Sequence, residues 1–380
     1  MHTADVSILA NALDGTLPDA VLAVPSMMSL KERLLLQALA QHEYRGDGVI
    51  VDAGVFCGGS TLCLGTGIEG NPARDAILAR WPQPIRTYEY GIVNPGMIPF
   101  FERHNVAGDW QVGESFEAYL RGNIAPVADK VELTMGDISL ATWDGAPIEI
   151  MFLDVVKSHA IQMAVLRTFM PHLLVGGILL QQDYFIDGLP FLKIMQEHFA
   201  DHFEYLGEVW SLGMFRLIKP FAPEAFATDP IPAMTLEYKL ELLDRTRDRS
   251  IDPFRRLLCD LGKVRFLASI GENAQAVALL DTLPEAYPAQ FGDDQLPRIR
   301  NAVRAATNRA HGKATTPPRL VRPAFPVEAA APVLAEPVAA PVIGEPLNTS
   351  AVLEKPEPAR PGFFARYFPF LPRSSTAQVP

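Results

Sequence analysis

The sequence predicts an α/β fold: five buried strands alternating with helices, then a strand pair, then an all-helical stretch. Three observations predict it. Short apolar runs, the mark of strands buried on both faces, recur between segments of helical period. Each of the first five runs ends in polar or acidic residues. The first, at 49–51, turns through three glycines into a helix-like segment.

Before the first strand, Ser29-Leu30-Lys31-Glu32 matches a capping box, and 33–40 continue as a helix. Strand 49–51 ends at Asp52. Gly54, Gly58 and Gly59 then remove side chains where backbone and ligand must approach, and Ser60 opens the next helix. Gly54-x-x-x-Gly58-Gly59 lacks the Gly-x-Gly pair that places a pyrophosphate on a helix N-terminus, so a ligand without phosphate fits better than a dinucleotide. After a helix at 71–80, strand 85–88 ends in Glu89, where an acid can accept both hydroxyls of a ribose. Strand 131–135 delivers Gly136 and Asp137. Strand 148–153 delivers Asp154, Lys157 and His159. A helix at 160–170 and a strand at 178–180 lead into Gln181, Gln182, Asp183 and Tyr184. Tyr90, Trp143 and Tyr184, near strand ends, are candidates to wall an aromatic acceptor pocket. A helix at 189–199 and strands at 203–210 and 214–219 complete this part, and Pro220 and Pro223 mark its boundary.

The glycine turn resembles motif I of class I S-adenosylmethionine-dependent methyltransferases. MFLDVVKSHA, followed after one helix by VGGILLQQDYF, is similar to the catechol O-methyltransferase group and the related macrolide sugar O-methyltransferases, and the likeness covers roughly 29–219. The resemblance implies a Rossmann-like seven-stranded methyltransferase sheet, mostly parallel, with a terminal antiparallel hairpin. It implies S-adenosyl-L-methionine held by Asp52, Gly54, Phe56, Gly58, Ser60, Glu89 and Asp137, with the adenine near Gly136-Asp137. It also implies Lys157 as general base and a magnesium ion held by Asp154 with the pair Gln182 and Asp183. The family has Asp-Asn or Asp-Asp at that pair, so Gln182 is a departure that offers only a neutral amide oxygen. A free lysine is protonated at neutral pH, so Lys157 needs burial or a nearby cation to act as a base. His159 is the runner-up, because an imidazole already titrates near neutrality.

The expected activity is transfer of a methyl group to a hydroxyl of a small-molecule acceptor, sugar or natural-product-like. The alternative is a catalytically degenerate domain acting as an assembly or adaptor protein. A nicotinamide-dependent oxidoreductase is disfavoured by the glycine spacing and by the absence of a Tyr-x-x-x-Lys pattern. A net charge of -11 argues against nucleic-acid partners. Three cysteines in 380 residues give no disulfide framework, and no apolar run has the length of a membrane span. A cytoplasmic location is expected.

The organisation expected is an N-terminal segment 1–28, a methyltransferase domain 29–219 and a helical extension 220–310. A Pro/Ala-rich disordered linker 311–361 and an aromatic tail 362–380 follow. Extension helices are expected at 236–247, 253–269, 273–283 and 296–309. One pair resembles a tetratricopeptide repeat, but a lone pair is better read as an appendage packed on the catalytic domain or on a second subunit in a homo-oligomer. The tail, RPGFFARYFPFLPR at its core, is too apolar for a solvated end and is a candidate for docking to a protein partner or a membrane surface.

Overall fold

In the computed structural model, residues 15–222, 224–291 and 304, 307 and 308 are described. The strands are β1 Val49–Ala53, β2 Ile85–Glu89, β3 Val131–Met135, β4 Ile148–Leu153, β5 Leu173–Gln181, β6 Phe203–Val209 and β7 Leu212–Leu217. They form a seven-stranded sheet in the order β3-β2-β1-β4-β5-β7-β6. The first five are parallel, while β7 pairs antiparallel with both β5 and β6. This is the Rossmann-like methyltransferase sheet that the resemblance implied. Its carboxyl edge gathers Gly54, Glu89, Gly136, Asp154 and Gln182 on one side of the molecule.

β1 and β4 are largely apolar and almost wholly buried, with Asp52 and Glu149 as their acids, because they lie in the middle of the sheet with helices on both faces. β5 runs longer than expected. Gly176 and Gly177, which signal a turn in the sequence, lie inside the strand, with Gly176 in the left-handed region at φ 90°. The helices are α1 Leu30–Ala38, α2 Gly59–Glu69, α3 Arg74–Arg80, α4 Ile98–Arg103, α5 Glu117–Ile124, α6 His159–Phe169, α7 Pro190–His198, α8 Leu236–Arg249, α9 Pro253–Ser269 and α10 Asn273–Ala286. α4 and α5 fall in a stretch whose sequence carries no clear period. The capping box at α1 is present in full, Ser29 Oγ accepting from the Glu32 amide and Glu32 from the Ser29 amide.

One core cluster joins Val21, Val24 and Met28 to Leu35, Ile50, Leu62 and Phe101 on one face of the sheet. A second lies on the other face around Met151, Phe169, Leu179 and Phe215. The extension is packed onto the sheet's helices: Ile194 of α7 meets Leu242 and Leu243 of α8, and Cys259 of α9 joins the second core. α9 and α10 bury Leu257, Leu261, Ala276 and Leu280 against each other. The extension is thus packed on the sheet domain, and among the described residues α9 and α10 form a single pair. The expected helix at 296–309 lies outside the described residues apart from helical positions 304, 307 and 308, and the linker and tail, 311–380, lie wholly outside them.

Candidate functional site

β1 ends in a turn with positive φ at alternate residues: Gly54 at 93°, Phe56 at 50° and Gly58 at 94°. Gly54 is glycine for a reason internal to the protein, because a Cβ there would stand 2.8 Å from the carbonyl carbon of Asp154. A Cβ on Gly58 would meet Ile124, and one on Gly59 would meet Ser26 Oγ at 3.1 Å. Phe56 leaves the turn into an aromatic cluster, 5.1 Å from Phe100 and 5.8 Å from Phe116. That contact holds its left-handed backbone in place.

Asp52 and Ser60, expected to face the cofactor, are buried against each other. Asp52 accepts from Ser60 Oγ at 3.0 Å and Thr61 Oγ1 at 2.7 Å. Burial pushes its carboxyl up to about 7 against the pull of these hydroxyls. The pair fastens the first turn of α2 to β1, and α2 begins at Gly59 with Gly58 as its cap rather than at Ser60. Glu89 is the reaching acid of this half. Its Oε2 accepts from the Phe56 amide at 2.6 Å and its Oε1 from the Gly91 amide at 3.0 Å. Burial raises its carboxyl above the usual range, while those amides oppose the rise. The carboxylate is thus held in a fixed orientation at the end of β2. Asp137 is exposed and caps the short turn after β3 by accepting from the Ser139 amide at 2.9 Å.

The other half stands on β4 and β5. Lys157 Nζ lies 2.6 Å from Asp154 Oδ1 and 2.6 Å from Asp183 Oδ2. Desolvation at the strand ends opposes its charge, but the two carboxylates outweigh it and hold the ammonium above the ordinary lysine range. Lys157, expected as a proton acceptor, is therefore a cation in this arrangement. Burial, helped by the charge of Asp183 and opposed by Lys157, pushes Asp154 up to about 6. The two carboxylates converge on one point, as a metal site requires, but Lys157 fills that point. Gln182 donates from Nε2 to Glu32 Oε1 at 3.0 Å and to Ser211 Oγ at 3.1 Å, and its Oε1 has no partner. Among the described residues no group of three or more His, Cys, Asp or Glu is placed to hold a metal. Lys157 offsets one of the two carboxylate charges, and a divalent ion would reach that point only by displacing it.

His159 is held at both ring nitrogens, Nε2 at 2.7 Å from Asp229 Oδ2 and Nδ1 at 3.3 Å from Gln162 Oε1. It fastens the chain after β7 to α6, with both ring nitrogens engaged inside the protein. Tyr184 is fully buried, its hydroxyl donating to Glu197, so it closes the core and does not wall a pocket. Trp143 packs on Phe169 beneath the sheet, and Tyr90 stays exposed. The thiols are buried, and burial pushes Cys63 up to about 11.

Glu32 is the residue that sequence reasoning missed. It reads as a helix cap, and it is one. Yet it also reaches Gln182 just past β5 and Ser211 in the β6–β7 turn, and burial lifts it to about 7. Only the burial of Glu32, invisible in sequence, separates it from an ordinary capping acid.

No family model matches the chain, and no curated protein matches it. Among solved structures, the chain is similar to the O-methyltransferase NovP, at 15% identity over 51% of this chain and 83% of that one, with a TM-score of 0.37. It is also similar to an O-methyltransferase from Bacillus cereus in complex with SAH, at 18% identity over 56% and 91% of the two chains, with a TM-score of 0.33. Among the described residues no helix is long and apolar enough to cross a membrane.

Proposed function

We propose that this chain is an S-adenosylmethionine-dependent methyltransferase acting on a hydroxyl of a small-molecule acceptor. The observation that carries this reading is the direct contact of the two halves of the sheet edge. The Gly54 turn, with Glu89 beside it, packs against the backbone of Asp154, so a cofactor on one half would point its reactive end at the other. When bound, S-adenosylmethionine would supply an electrophilic methyl group for in-line transfer to the acceptor oxygen, with its sulfur as the leaving group.

The chain's own residues have three tasks. Glu89 orients the cofactor through its ribose, and rigid strand ends align the acceptor, which in well-oriented systems lowers a barrier by up to about 7–11 kcal/mol. The Lys157 ammonium stabilises charge growing on the acceptor oxygen. Asp154, with its carboxyl pushed up to about 6, takes the proton, since a base poised near the working pH transfers it most effectively. Magnesium would be held by Asp154, Asp183 and the Gln182 amide oxygen if it displaced Lys157, and Lys157 would then lose both carboxylate partners.

A second reading keeps the cofactor fold without turnover, as an assembly or adaptor protein. The ion-paired Asp154–Lys157–Asp183 cluster favours it, because a lysine locked in two ion pairs is also a stable structural element. Calorimetric titration of S-adenosylhomocysteine, with and without magnesium and with Glu89→Ala as control, tests the leading reading. Micromolar binding lost in the variant supports it, and no binding to the native chain sinks it.

A further inference from the structure

The loop that carries Asp183 is bent at both ends. Asp183 and Leu189 are non-glycine residues in the left-handed region, at φ 61° and 52°. Such a conformation is strained for a residue with a side chain and persists only where the surroundings impose it. Here the surroundings come largely from the helical extension. Arg265 of α9 donates through Nη1 to the Asp187 carbonyl at 2.9 Å and to Asp187 Oδ2 at 2.6 Å. Gly262, one turn earlier, lies flat on the same backbone, where a Cβ would be 3.4 Å from the Asp187 carbonyl carbon. From α7, Lys193 donates to the Gly188 carbonyl, its ammonium otherwise buried without a carboxylate in hydrogen-bond reach. At the loop's start, Tyr184 is anchored through Glu197 to Arg249 of α8, whose Nη2 donates at 2.9 Å.

We propose that Arg265 is a positioning residue of the site: together with Lys193 it fixes the loop from Asp183 to Leu189 so that Asp183 meets Lys157. The extension is then a working part of the site, although its helices contribute no group to the sheet edge itself. A strained loop needs several restraints from outside its own sequence, and α9 supplies two of them within one helical turn. The inference rests on reading Asp183 as a site residue, and cofactor binding reports on that reading separately.

The test compares Arg265→Met, Arg265→Lys and Asp183→Asn in the full chain by three measurements. Hydrogen exchange of amides 184–188 should quicken about tenfold or more in Arg265→Met, the loss of one charge-assisted hydrogen bond, with β1 and α2 unchanged. Modification of Lys157 by acetic anhydride, followed by mass spectrometry, should rise to the level seen in Asp183→Asn, because the amine loses the same partner. Arg265→Lys should restore most of both effects, and S-adenosylhomocysteine affinity should match the native chain in Arg265→Met. Unchanged loop exchange or unchanged Lys157 modification in folded Arg265→Met overturns the proposal. So does exchange that quickens evenly across the sheet, which would make α9 a support of the fold alone. Should Arg265→Met fail to fold, Asp187→Asn removes the ion pair without touching α9, and the same readouts decide. Failure of the native chain to bind the cofactor product would sink the functional reading while leaving the loop measurements intact.

Discussion

The two halves of the sheet edge are held by different means. On the cofactor half, Glu89 is fixed by the amides of Phe56 and Gly91, and Asp52 by hydroxyls one turn into the next helix. Backbone or short side chains close to the strand end do the work. On the acceptor half, Asp154, Lys157, Asp183, Gln182 and Glu32 are held by side chains drawn from α1, the β6–β7 turn, α7 and α9. The first half is fixed mainly by backbone amides and short hydroxyls at the strand ends, the second by long side chains converging from several elements. A motif can therefore announce the first, while the second must be assembled before its chemistry exists.

The largest expected break in this contrast is Arg249→Met. It leaves Glu197, whose side chain is 0% exposed, with an uncompensated charge, and should cost about 3–5 kcal/mol in urea unfolding. An effect below about 1 kcal/mol would mean that the acceptor half does not lean on the extension.

A pH series sharpens the contrast next. The Glu32 carboxyl titrates near 7 in the folded chain against 4.5 ordinarily, so the native state holds that proton more tightly than the unfolded one. Its contribution to stability is complete below pH 4.5 and is lost as pH rises through 7, on the order of 3 kcal/mol. Asp52 moves in the same direction, from 3.8 to about 7. Thermal melting of the native chain should therefore fall from pH 5 to pH 8, and Glu32→Gln should flatten part of that slope. A melting temperature that climbs over this range contradicts the assignment.

Glu89→Ala probes the cofactor half. If Glu89 holds the ribose as proposed, its loss should weaken S-adenosylhomocysteine by about 1.5–3 kcal/mol, or roughly 10–100-fold by calorimetry. Asp183→Asn should leave that affinity within about twofold, since it stands on the other half. The smallest change is Ser29→Ala. Removing the cap of α1 should cost about 1 kcal/mol in thermal unfolding, and local loosening of Glu32 should appear as faster exchange at the start of α1.

The same contrast explains what was legible in the sequence. β3 at 131–135, β4 at 148–153 and α9 at 253–269 fall where the apolar pattern puts them, because their burial follows from a short local rule. β5 was read too short because a glycine pair inside a strand carries the same letters as a turn. Glu89, Asp154, Lys157 and Asp183 were legible as strand-end chemistry. The burial of Asp52 and Ser60, the double engagement of His159 and the inward turn of Tyr184 were not, since each depends on a partner remote in sequence or on packing depth.

The sequence by itself determined the order of strands and helices, the glycine turn and the acids at the sheet edge, because backbone period and strand-end position are local properties. Only the tertiary structure decided the charge of Lys157, the pairing of Glu32 with Gln182 and the hold of α9 on the Asp183 loop. Those depend on which groups share a desolvated volume, and sequence spacing does not record that.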